Sequence, residues 1–323
     1  MRKAILSLVL ALVTNVAVQA QQIAVVSKSG TTSIYKTLPE AVAGASAGST
    51  VYLPGGGFTL TDTLKINKKL TIIGVGYYIA GGNVDGVTTI NGQISFINGS
   101  SGSALMGVHV PSPNYVWIGK DGSAVEDILI RYCWIHNIRV NNSQCTGCVI
   151  NQNYCNYISL GETGASGSNA KVTNNVCYYI SCGNGAEIKY NIILASSYPF
   201  GGSDNKWYSR NCVISNNFIL YCNIPYDCQF FDNIGKVGIE GIEMIDASWN
   251  DVFVKYGSSP NPQYDYHFTE AYQQYEGKVG IYAGSGFSDS GLPPVPYIVS
   301  KQIPYQTDRQ GKLNIKVRVR ASE

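Results

Sequence analysis

A short pattern of apolar and polar positions recurs through the middle of the chain. Around a turn position that is mostly Asn, an aliphatic residue stands three places before and a Cys or Ile two places after. The three positions read Ile128, Ile150, Val172, Ile188 and Ile214; then Arg131, Asn153, Asn175, Asn191 and Asn217; then Cys133, Cys155, Cys177, Ile193 and Ile219. The residue five places before the turn position is mostly small or aliphatic and shares the parity of the aliphatic position. The pattern therefore predicts short β-strands buried on one face.

The spacing between copies indicates how these strands are arranged. Successive turn positions are 22, 22, 16 and 26 residues apart, which is too short and polar for paired helices and too irregular for propeller blades. Strands stacked rung on rung fit this spacing, because neighbouring rungs lie about 4.8 Å apart and bring equivalent residues into columns. A column of Asn at a bend then becomes a ladder in which each amide bonds to the next rung.

The N-terminal part predicts a plug for the open end of such a stack. Ile34, Leu38, Ala41 and Val42 give a short helix one apolar side, which suits it to cover the core at that end. Gly48 follows the helix and favours its termination before the first strand.

The C-terminal part predicts a hairpin. Residues 292–296 are rich in Pro and indicate a linker. Beyond it, Leu313, Ile315, Val317 and Val319 alternate with polar residues, which is typical of a half-buried strand, and residues 297–304 provide its partner. We expect this hairpin to cap an exposed edge of the stack, with a separate surface-attachment element as the alternative.

These segments resemble the right-handed parallel β-helix family that contains pectate lyases and other polysaccharide-processing proteins. The likeness rests on residues 33–42, 47–53 and 70–76 at the start, and on 251–254 through 279–284 as a closing segment. It implies an all-β protein, a right-handed parallel β-helix solenoid with a short N-terminal capping helix and a C-terminal β-hairpin. It also implies a polysaccharide as partner, but this fold carries lyases, hydrolases, epimerases and non-enzymes, so it does not fix the chemistry.

The first 20 residues have the features of a secretory signal peptide. Arg2 and Lys3 precede an apolar run over 4–13, and residues 18–20 fit a cleavage site. The run is too short to span a bilayer, so we expect no membrane insertion after cleavage and a secreted or cell-envelope location. The predicted organisation is a signal peptide over 1–20, a β-helix with its cap over 21–290, and a linker with hairpin over 291–323.

Charge excludes one class of partner. Charged residues make up 14% of the chain, against about 25% in a typical soluble domain. Without Arg2 and Lys3 the chain has 21 basic and 21 acidic residues. A neutral, exported chain does not fit a nucleic-acid binder.

The nine cysteines leave two interpretations open. They are either small apolar residues stacked in the core, as Cys133, Cys155 and Cys177 suggest, or part of a disulfide set in an exported protein. The only three His residues stand far apart in the sequence and one CxxC is present, so a zinc site is not expected. No cofactor is evident from the sequence. Ca²⁺ stays open as an alternative, but no dense set of Asp or Glu supports it.

Candidate site residues lie around one outer face of the stack. Catalytic members of the family usually carry Asp, Arg or Lys there, whereas the aligned outward column reads Asn137, Ser159, Ser181, Ser197 and Asn223. Ionisable residues are left at strand ends and in loops, chiefly in the loop over 199–210. The candidates are Lys206 and Arg210 as the base of an elimination, and Arg139, Glu162, Asp204, Trp207 and Tyr208 as substrate-binding residues.

The loop over 199–210 combines groups that suit an acidic sugar. Trp207 offers a ring for stacking, and Lys206 and Arg210 offer charge-assisted hydrogen bonds to a carboxylate. A solvated loop with local ion pairs is the alternative. Outward columns of Tyr add a platform for sugar rings; they are Tyr157, Tyr179 and Tyr221, and Tyr132 and Tyr154.

The sequence therefore predicts a secreted polysaccharide-binding β-helix protein. Lyase or hydrolase activity on acidic glycans is an expectation without a recognisable catalytic signature. A non-catalytic structural or adhesin-like cell-surface protein is the alternative.

Overall fold

The chain builds two long β-sheets that enclose one apolar core. The computed structural model describes residues 22–78, 86–161, 169–201, 209–221, 227–236, 238–257, 259–302, 304, 306–307 and 309–320. Between the third and the twenty-third strand the chain passes repeatedly from one sheet to the other, and neighbouring strands within each sheet are parallel. Each pass adds one rung to a stack, which makes the architecture all-β and solenoid-like.

The strands are short, as the predicted pattern requires. The first half of the stack contains β1 Ile23–Val26, β2 Thr32–Tyr35, β3 Ser49–Tyr52, β4 Gly56–Thr59, β5 Leu64–Ile66, β6 Leu70–Ile73, β7 Thr88–Asn91, β8 Ile94–Phe96, β9 Ala104–Met106, β10 His109–Ile118, β11 Leu129–Arg131 and β12 Trp134–Val140. The second half contains β13 Val149–Asn151, β14 Tyr154–Ser159, β15 Lys171–Thr173, β16 Val176–Ser181, β17 Glu187–Lys189, β18 Ile192–Ile193, β19 Val213–Ser215, β20 Phe218–Ile219, β21 Gln229–Phe231, β22 Asn233–Gly235 and β23 Ile242–Met244. The closing part contains β24 Phe253–Lys255, β25 Asp265–Phe268, β26 Tyr297–Gln302 and β27 Lys316–Arg320.

The two sheets have a simple strand order. The first runs β2-β1-β3-β6-β9-β11-β13-β15-β17-β19-β21, and the second runs β23-β22-β20-β18-β16-β14-β12-β10-β7-β4 with β5 and β8 joined to it through β10. The pairings of β1 with β2 and with β3 are antiparallel. Two antiparallel pairs, β24 with β25 and β26 with β27, lie outside the stack.

A column of aliphatic side chains fills the space between the sheets. Its members in the middle of the stack are Ile130, Ile150, Val172, Ile188 and Ile214, which pair in register and are fully buried. Burying each such side chain contributes about 1.5–3 kcal/mol, so the stack is stabilised mainly by this repeated apolar position.

The predicted Asn ladder is present. It consists of Asn153, Asn175, Asn191, Asn217 and Asn233, all buried. On each step the Oδ1 of one Asn accepts hydrogen bonds from the backbone N–H and the Nδ2 of the Asn one rung earlier, at 2.8–3.0 Å. The ladder thus pairs buried amides with one another at every corner.

The first rung of the predicted alignment is wrong by two residues. Arg131 pairs with Asn151, and the backbone N–H of Cys133 donates to Asn153 Oδ1 at 3.0 Å, so Cys133 holds the ladder position. Ile130 rather than Ile128 then belongs to the aliphatic column, and the neighbours of Cys155 are Ile135 and Cys177. A shift of two residues keeps every side chain on its own face, so the apolar pattern does not reveal it.

Every corner beside the ladder has the same backbone conformation. The residue before each ladder position has φ between 50° and 58°, in the left-handed region; these residues are Tyr132, Gln152, Asn174, Tyr190, Asn216 and Asp232. This conformation costs about 1–2 kcal/mol for a residue other than Gly. It is retained at six successive corners because the ladder and the neighbouring rungs fix the turn.

The predicted capping helix forms, with one correction. Helix α1, Leu38–Gly44, begins after Thr37, whose side chain accepts from the backbone N–H of Glu40, and it buries Leu38, Ala41 and Val42. Ile34 lies before the helix, on β2, and is 56% exposed. It contributes nothing to the apolar side of α1.

A closing segment runs back along the ladder corner. It includes helix α2, Trp249–Val252, and a 3-10 turn at Glu270–Tyr275; a second 3-10 turn at Lys120–Gly122 lies elsewhere. Residues 278–293, called the strap here, contact successive corners: Asn216 Nδ2 donates to the Lys278 carbonyl, Asn174 Nδ2 to the Ile281 and Ala283 carbonyls, and the Ser288 N–H to Gln152 Oε1. A second apolar cluster, with Phe218, Phe253 and Tyr266 at its centre, lies under this segment.

The C-terminal hairpin forms between β26 and β27 in the predicted place. The expectation that its apolar face is buried is wrong, because Leu313, Ile315, Val317 and Val319 are 44–56% exposed. Alternation alone predicts a two-faced strand, but burial requires a partner surface.

The described cysteines form no disulfide with one another. Cys133, Cys155 and Cys177 are fully buried in the core, as the packing interpretation predicts. Cys155 and Cys177 stack in register, and Cys133 stands apart from their column.

Candidate functional site

The longest rungs of the second sheet bring two outward columns together. Strands β10, β12, β14 and β16 are the longest strands of this sheet. One outward column reads Tyr115, Asn137, Tyr157 and Tyr179, and the next reads Trp117, Arg139, Ser159 and Ser181. Since rungs are about 4.8 Å apart, these side chains form one continuous layer. Within this surface layer the rings and Arg139 are half-buried, and Asn137, Ser159 and Ser181 are buried.

Aromatic rings make up most of this surface. Tyr115 stacks on Trp117 with ring centroids 5.2 Å apart, and Tyr157 lies 5.3 Å from Tyr179. Trp117 Nε1 donates to Gln93 Oε1 at 3.0 Å, which fixes the indole. Rings that pack on one another in this way give amphipathic contact area whose side chains are already ordered.

Arg139 lies among the rings. Its guanidinium carbon is 5.1 Å from the ring centroid of Tyr115, 5.6 Å from that of Trp117 and 5.9 Å from that of Tyr157. Its Nε is buried and has no hydrogen-bond partner among the described residues. A guanidinium stays protonated in proteins and presents several donors in one plane, so this residue can bind a carboxylate or sulfate while it packs on the rings. We call Tyr115, Trp117, Arg139, Tyr157 and Tyr179 the Arg139 patch.

A second cation extends the patch at one edge. Lys120 Nζ lies 4.9 Å from the ring centroid of Trp117. A cation over an indole face is attracted by its quadrupole, by about 0.5–1 kcal/mol at exposed sites. The patch therefore combines two positive charges with rings that hold them.

The floor of the patch is polar and uncharged. Ser181 Oγ donates to Tyr157 Oη at 3.0 Å, and Ser159 Oγ donates to the Gly161 carbonyl at 2.8 Å. Cys182, in the left-handed region with φ of 60°, is buried beside these two Ser side chains and outside both apolar clusters. Burial raises the pKa of Cys182 and of Tyr157. Both therefore stay neutral at pH 7.

A His borders the patch on the other side. The His136 ring packs edge-on against Tyr115 with centroids 6.4 Å apart, and Asn156 Nδ2 donates to His136 Nδ1 at 3.1 Å. Burial lowers the pKa of His136. The imidazole is therefore neutral at pH 7 and adds no charge.

Arg139 was expected at the end of a rung, and the structure places it within an outward column of β12. Arg139 pairs with Ser159, so the outward column that was expected to contain no ionisable group contains a guanidinium. Tyr157 and Tyr179 are neighbours as predicted, whereas Tyr154 pairs with Trp134 rather than with Tyr132. Both errors follow from the two-residue shift on the first rung.

Tyr115 and Trp117 are site residues that the repeated pattern misses. They precede its first copy, on the rung that β10 forms. The signal that could have found them is the alternation of Tyr115, Val116, Trp117 and Ile118, in which both aliphatic residues are fully buried and both rings face outward.

Of the other predicted site residues, Arg210 is the one that the structure describes. Arg210 is exposed, forms an isolated bridge with Asn184 just before β19, and stands three rungs beyond Arg139, about 14 Å by rung spacing. Glu162, Asp204, Lys206, Trp207 and Tyr208 lie outside the described residues. Their predicted roles stay predictions.

A polar groove lies at the far end of the stack, between the strap and the last rungs. It has a volume of about 910 Å³, and Tyr190, Asp232, Glu243, Tyr275 and Lys278 are among its lining residues. Tyr275 Oη donates to Glu243 Oε1 at 2.5 Å. Asp232 and Glu243 are exposed, so water screens them as it screens surface charges.

The described residues contain neither a metal-ligand cluster nor a membrane-spanning helix. No group of three or more His, Cys, Asp or Glu side chains is placed to hold a metal ion in this part of the chain. Within the same residues, no helix is long and apolar enough to cross a membrane.

Comparison with known proteins gives no relative from which a function could be transferred. The chain matches no protein-family model, no curated protein and no solved structure.

Proposed function

We propose that this protein is a right-handed parallel β-helix that binds an acidic polysaccharide across the Arg139 patch. The observation that carries the proposal is the position of the Arg139 guanidinium among the rings of Tyr115, Trp117 and Tyr157. Rings stack on the apolar faces of sugars, and the guanidinium pairs with a uronate or sulfate group.

The direction of the stack fits a chain-like ligand. The aromatic columns extend over four rungs, from β10 to β16, which is about 14 Å at the spacing of parallel strands. A polysaccharide crossing the rungs meets rings on β10, β14 and β16 and the Arg139 guanidinium on β12.

Binding is better supported than cleavage. The two outward columns contain no carboxylate, which is the usual acid or base of glycan hydrolysis. Lys206 and Arg210 remain the proposed bases of an elimination by the loop over 199–210. The secreted location belongs to the same proposal and rests on the predicted signal peptide.

The proposal is tested by glycan affinity electrophoresis of residues 21–323. The panel contains polygalacturonate and alginate as acidic glycans and an uncharged glucan as the neutral one. We expect retardation on an acidic glycan, and a loss of at least tenfold in affinity for Arg139→Gln, which removes the charge. Trp117→Ala should weaken binding by a similar factor, because a sugar stacks on the face of the indole ring.

A matched control comes from the other sheet. Arg131 also packs on a ring, with its guanidinium carbon 4.4 Å from the Tyr132 centroid, and its Nε is also buried without a partner among the described residues. Arg131→Gln should leave affinity unchanged. Equal loss in both Arg variants, or no retardation on any glycan, would reject the patch as a binding site and favour the structural or adhesin-like alternative.

Cleavage is measured on the same samples. New unsaturated ends identify a lyase, and new reducing ends alone identify a hydrolase. If Lys206→Ala with Arg210→Ala leaves such activity intact, the loop over 199–210 is not its source.

A further inference from the structure

Two cysteines face each other near the end of the stack. Cys212 and Cys228 each stand one residue before a strand, β19 and β21, and these strands pair with Val213 opposite Gln229. The two cysteines are therefore opposite each other on neighbouring rungs. Strands at a spacing of about 4.8 Å place Cα atoms within the 4.4–6.8 Å range of disulfides.

The two residues are in direct contact. The backbone N–H of Cys212 donates to Cys228 Sγ at 3.4 Å, and Cys212 Sγ donates to the Arg210 carbonyl at 3.2 Å. A hydrogen bond between the thiols lowers the pKa of Cys212 and, together with burial, raises that of Cys228. The pair thus contains one thiol that ionises more easily because its neighbour donates to it.

The pair also differs from the other cysteines in access. Cys228 is half-buried and lines an end groove of about 480 Å³, whereas the other seven described cysteines are buried. Gln229, Phe230, Phe231, Ile239 and Glu240 line the same groove. A small molecule that enters it reaches the Cys228 thiol first.

We propose that Cys212 and Cys228 are a site of reversible disulfide formation by exchange with a low-molecular-weight disulfide. The bond would tie β21, the last strand of the first sheet, to β19. It would also close the loop between residues 212 and 228, part of which lies outside the described residues.

The exchange takes two steps. The Cys228 thiol passes its proton to the Cys212 thiolate, to which it is hydrogen-bonded. The more accessible Cys228 sulfur then attacks one sulfur of the small disulfide, so a Cys228–S bond forms, the original S–S bond breaks and one small thiolate leaves and takes up the proton from Cys212. The Cys212 thiolate then attacks Cys228 Sγ, which forms the protein disulfide and expels the second small thiolate. Two protein thiols are oxidised, the small disulfide is reduced to two thiols, and the two protons pass to those thiols.

The chain contains its own matched controls. Cys155 and Cys177 also lie opposite each other on neighbouring strands, but both are fully buried and burial raises the pKa of each. Cys145 and Cys148 are close in sequence and also buried, and burial raises the pKa of Cys148 to about 12. Neither pair combines access with a lowered pKa.

The experiment exposes reduced, folded full-length protein to oxidised glutathione. Thiols are then counted in denaturant, and disulfide-linked peptides are identified by mass spectrometry without reduction. We expect the count to fall from nine to seven, with residues 212 and 228 in one linked pair. Cys212→Ser should stop at a mixed disulfide of glutathione on Cys228, because the resolving thiol is missing.

Two further cysteine variants test whether oxidation is specific to the Cys212–Cys228 pair. Cys155→Ser should oxidise as the parent does, and Cys228→Ser should keep all eight remaining thiols, with circular dichroism showing that each variant is folded. An unchanged count of nine, a bond between Cys155 and Cys177 or between Cys145 and Cys148, or a bond from either residue to Cys222 would overturn the proposal.

Discussion

At the scale of single residues, the corner Asn side chains act through both halves of the amide. Asn191 Oδ1 accepts from the backbone N–H of Asn175 at 2.9 Å and from its Nδ2 at 3.0 Å. Asn191 Nδ2 donates to the Val172 and Lys189 carbonyls at 2.8 and 2.9 Å. No other side chain of this size is both donor and acceptor on one planar group, so a change here leaves buried groups on two rungs unpaired.

We therefore expect Asn191→Ala to lower the free energy of unfolding by about 3 kcal/mol or more, because each buried group left unpaired costs about 1–3 kcal/mol. Urea unfolding measures the change. Asn156→Ala is the control, since Asn156 is only half-buried and bonds to His136 alone among the described residues. Equal losses in the two variants would contradict a special role for the ladder.

Two His residues predict a pH dependence of stability. Burial lowers the pKa of both His109 and His136 below the ordinary value of about 6.5. The unfolded chain then binds protons that the folded chain does not, so their contribution is complete above pH 6.5 and is lost as the pH falls below it. We expect a lower urea midpoint at pH 5.5 than at pH 7.5, and a smaller difference when both residues are replaced by Gln. If the difference between the two urea midpoints is the same in the double Gln variant, the pH effect comes from other groups.

At the scale of elements, the strap fastens separate rungs to one another. It bonds to Asn216, Asn174 and Gln152 on three corners and reaches the start of the stack, where the Tyr77 N–H donates to the Gly291 carbonyl at 3.4 Å. Gly284 comes so close to one corner that an added Cβ would stand 2.5 Å from the Tyr190 ring. The strap is thus held both by hydrogen bonds and by a close approach that only Gly permits.

Two glycines of the strap distinguish the close approach to the ring from simple backbone strain. Gly284 and Gly286 both have positive φ, 63° and 74°, so Ala costs backbone strain at either position. Only Gly284 faces a ring, whereas an added Cβ at Gly286 meets nothing within 4 Å. We expect Gly284→Ala to be less stable than Gly286→Ala by about 1–3 kcal/mol, the usual cost of overpacking. Similar urea midpoints for the two variants would mean that the strap can move away from the Tyr190 ring without a loss of stability.

At the scale of the whole molecule, the stack is a nearly one-dimensional array in which each rung contacts mainly its neighbours. Rungs in the middle have a partner on both sides, whereas β21 and β23 end their sheets in the described structure. In such arrays stability is close to a sum of rung and neighbour contributions. The same apolar substitution should therefore have a different cost in the middle and at the end.

Ile188 and Ile242 test this difference. Ile188 is fully buried on β17 between two strands, and Ile242 is 6% exposed on the terminal strand β23. We expect Ile188→Ala to lower the free energy of unfolding by about 2–5 kcal/mol and Ile242→Ala to lower it less, because the end rung can relax around the lost atoms. The opposite order, measured by urea unfolding, would show that the end of the stack limits stability.

Much of the fold follows from local sequence features. The alternation of apolar positions determines which face of each strand is buried, and Asn in a repeated corner position determines the ladder. Thr37 and the apolar residues after it determine the capping helix. These features act between residues close in sequence or equivalent in a repeat, so the sequence alone determined the rungs, their stacking and both terminal elements.

Only the tertiary structure decided how the rungs align and what covers them. A shift of two residues preserves strand parity, so pairing with β14, rather than the pattern, placed Arg139 beside Ser159 and Tyr157. Burial also depends on partners distant in sequence: the strap covers the ladder corner, while Val317 and Val319 remain exposed. The Arg139 patch and the Cys212–Cys228 pair both arise from this cross-rung register, because it joins residues that no local pattern connects.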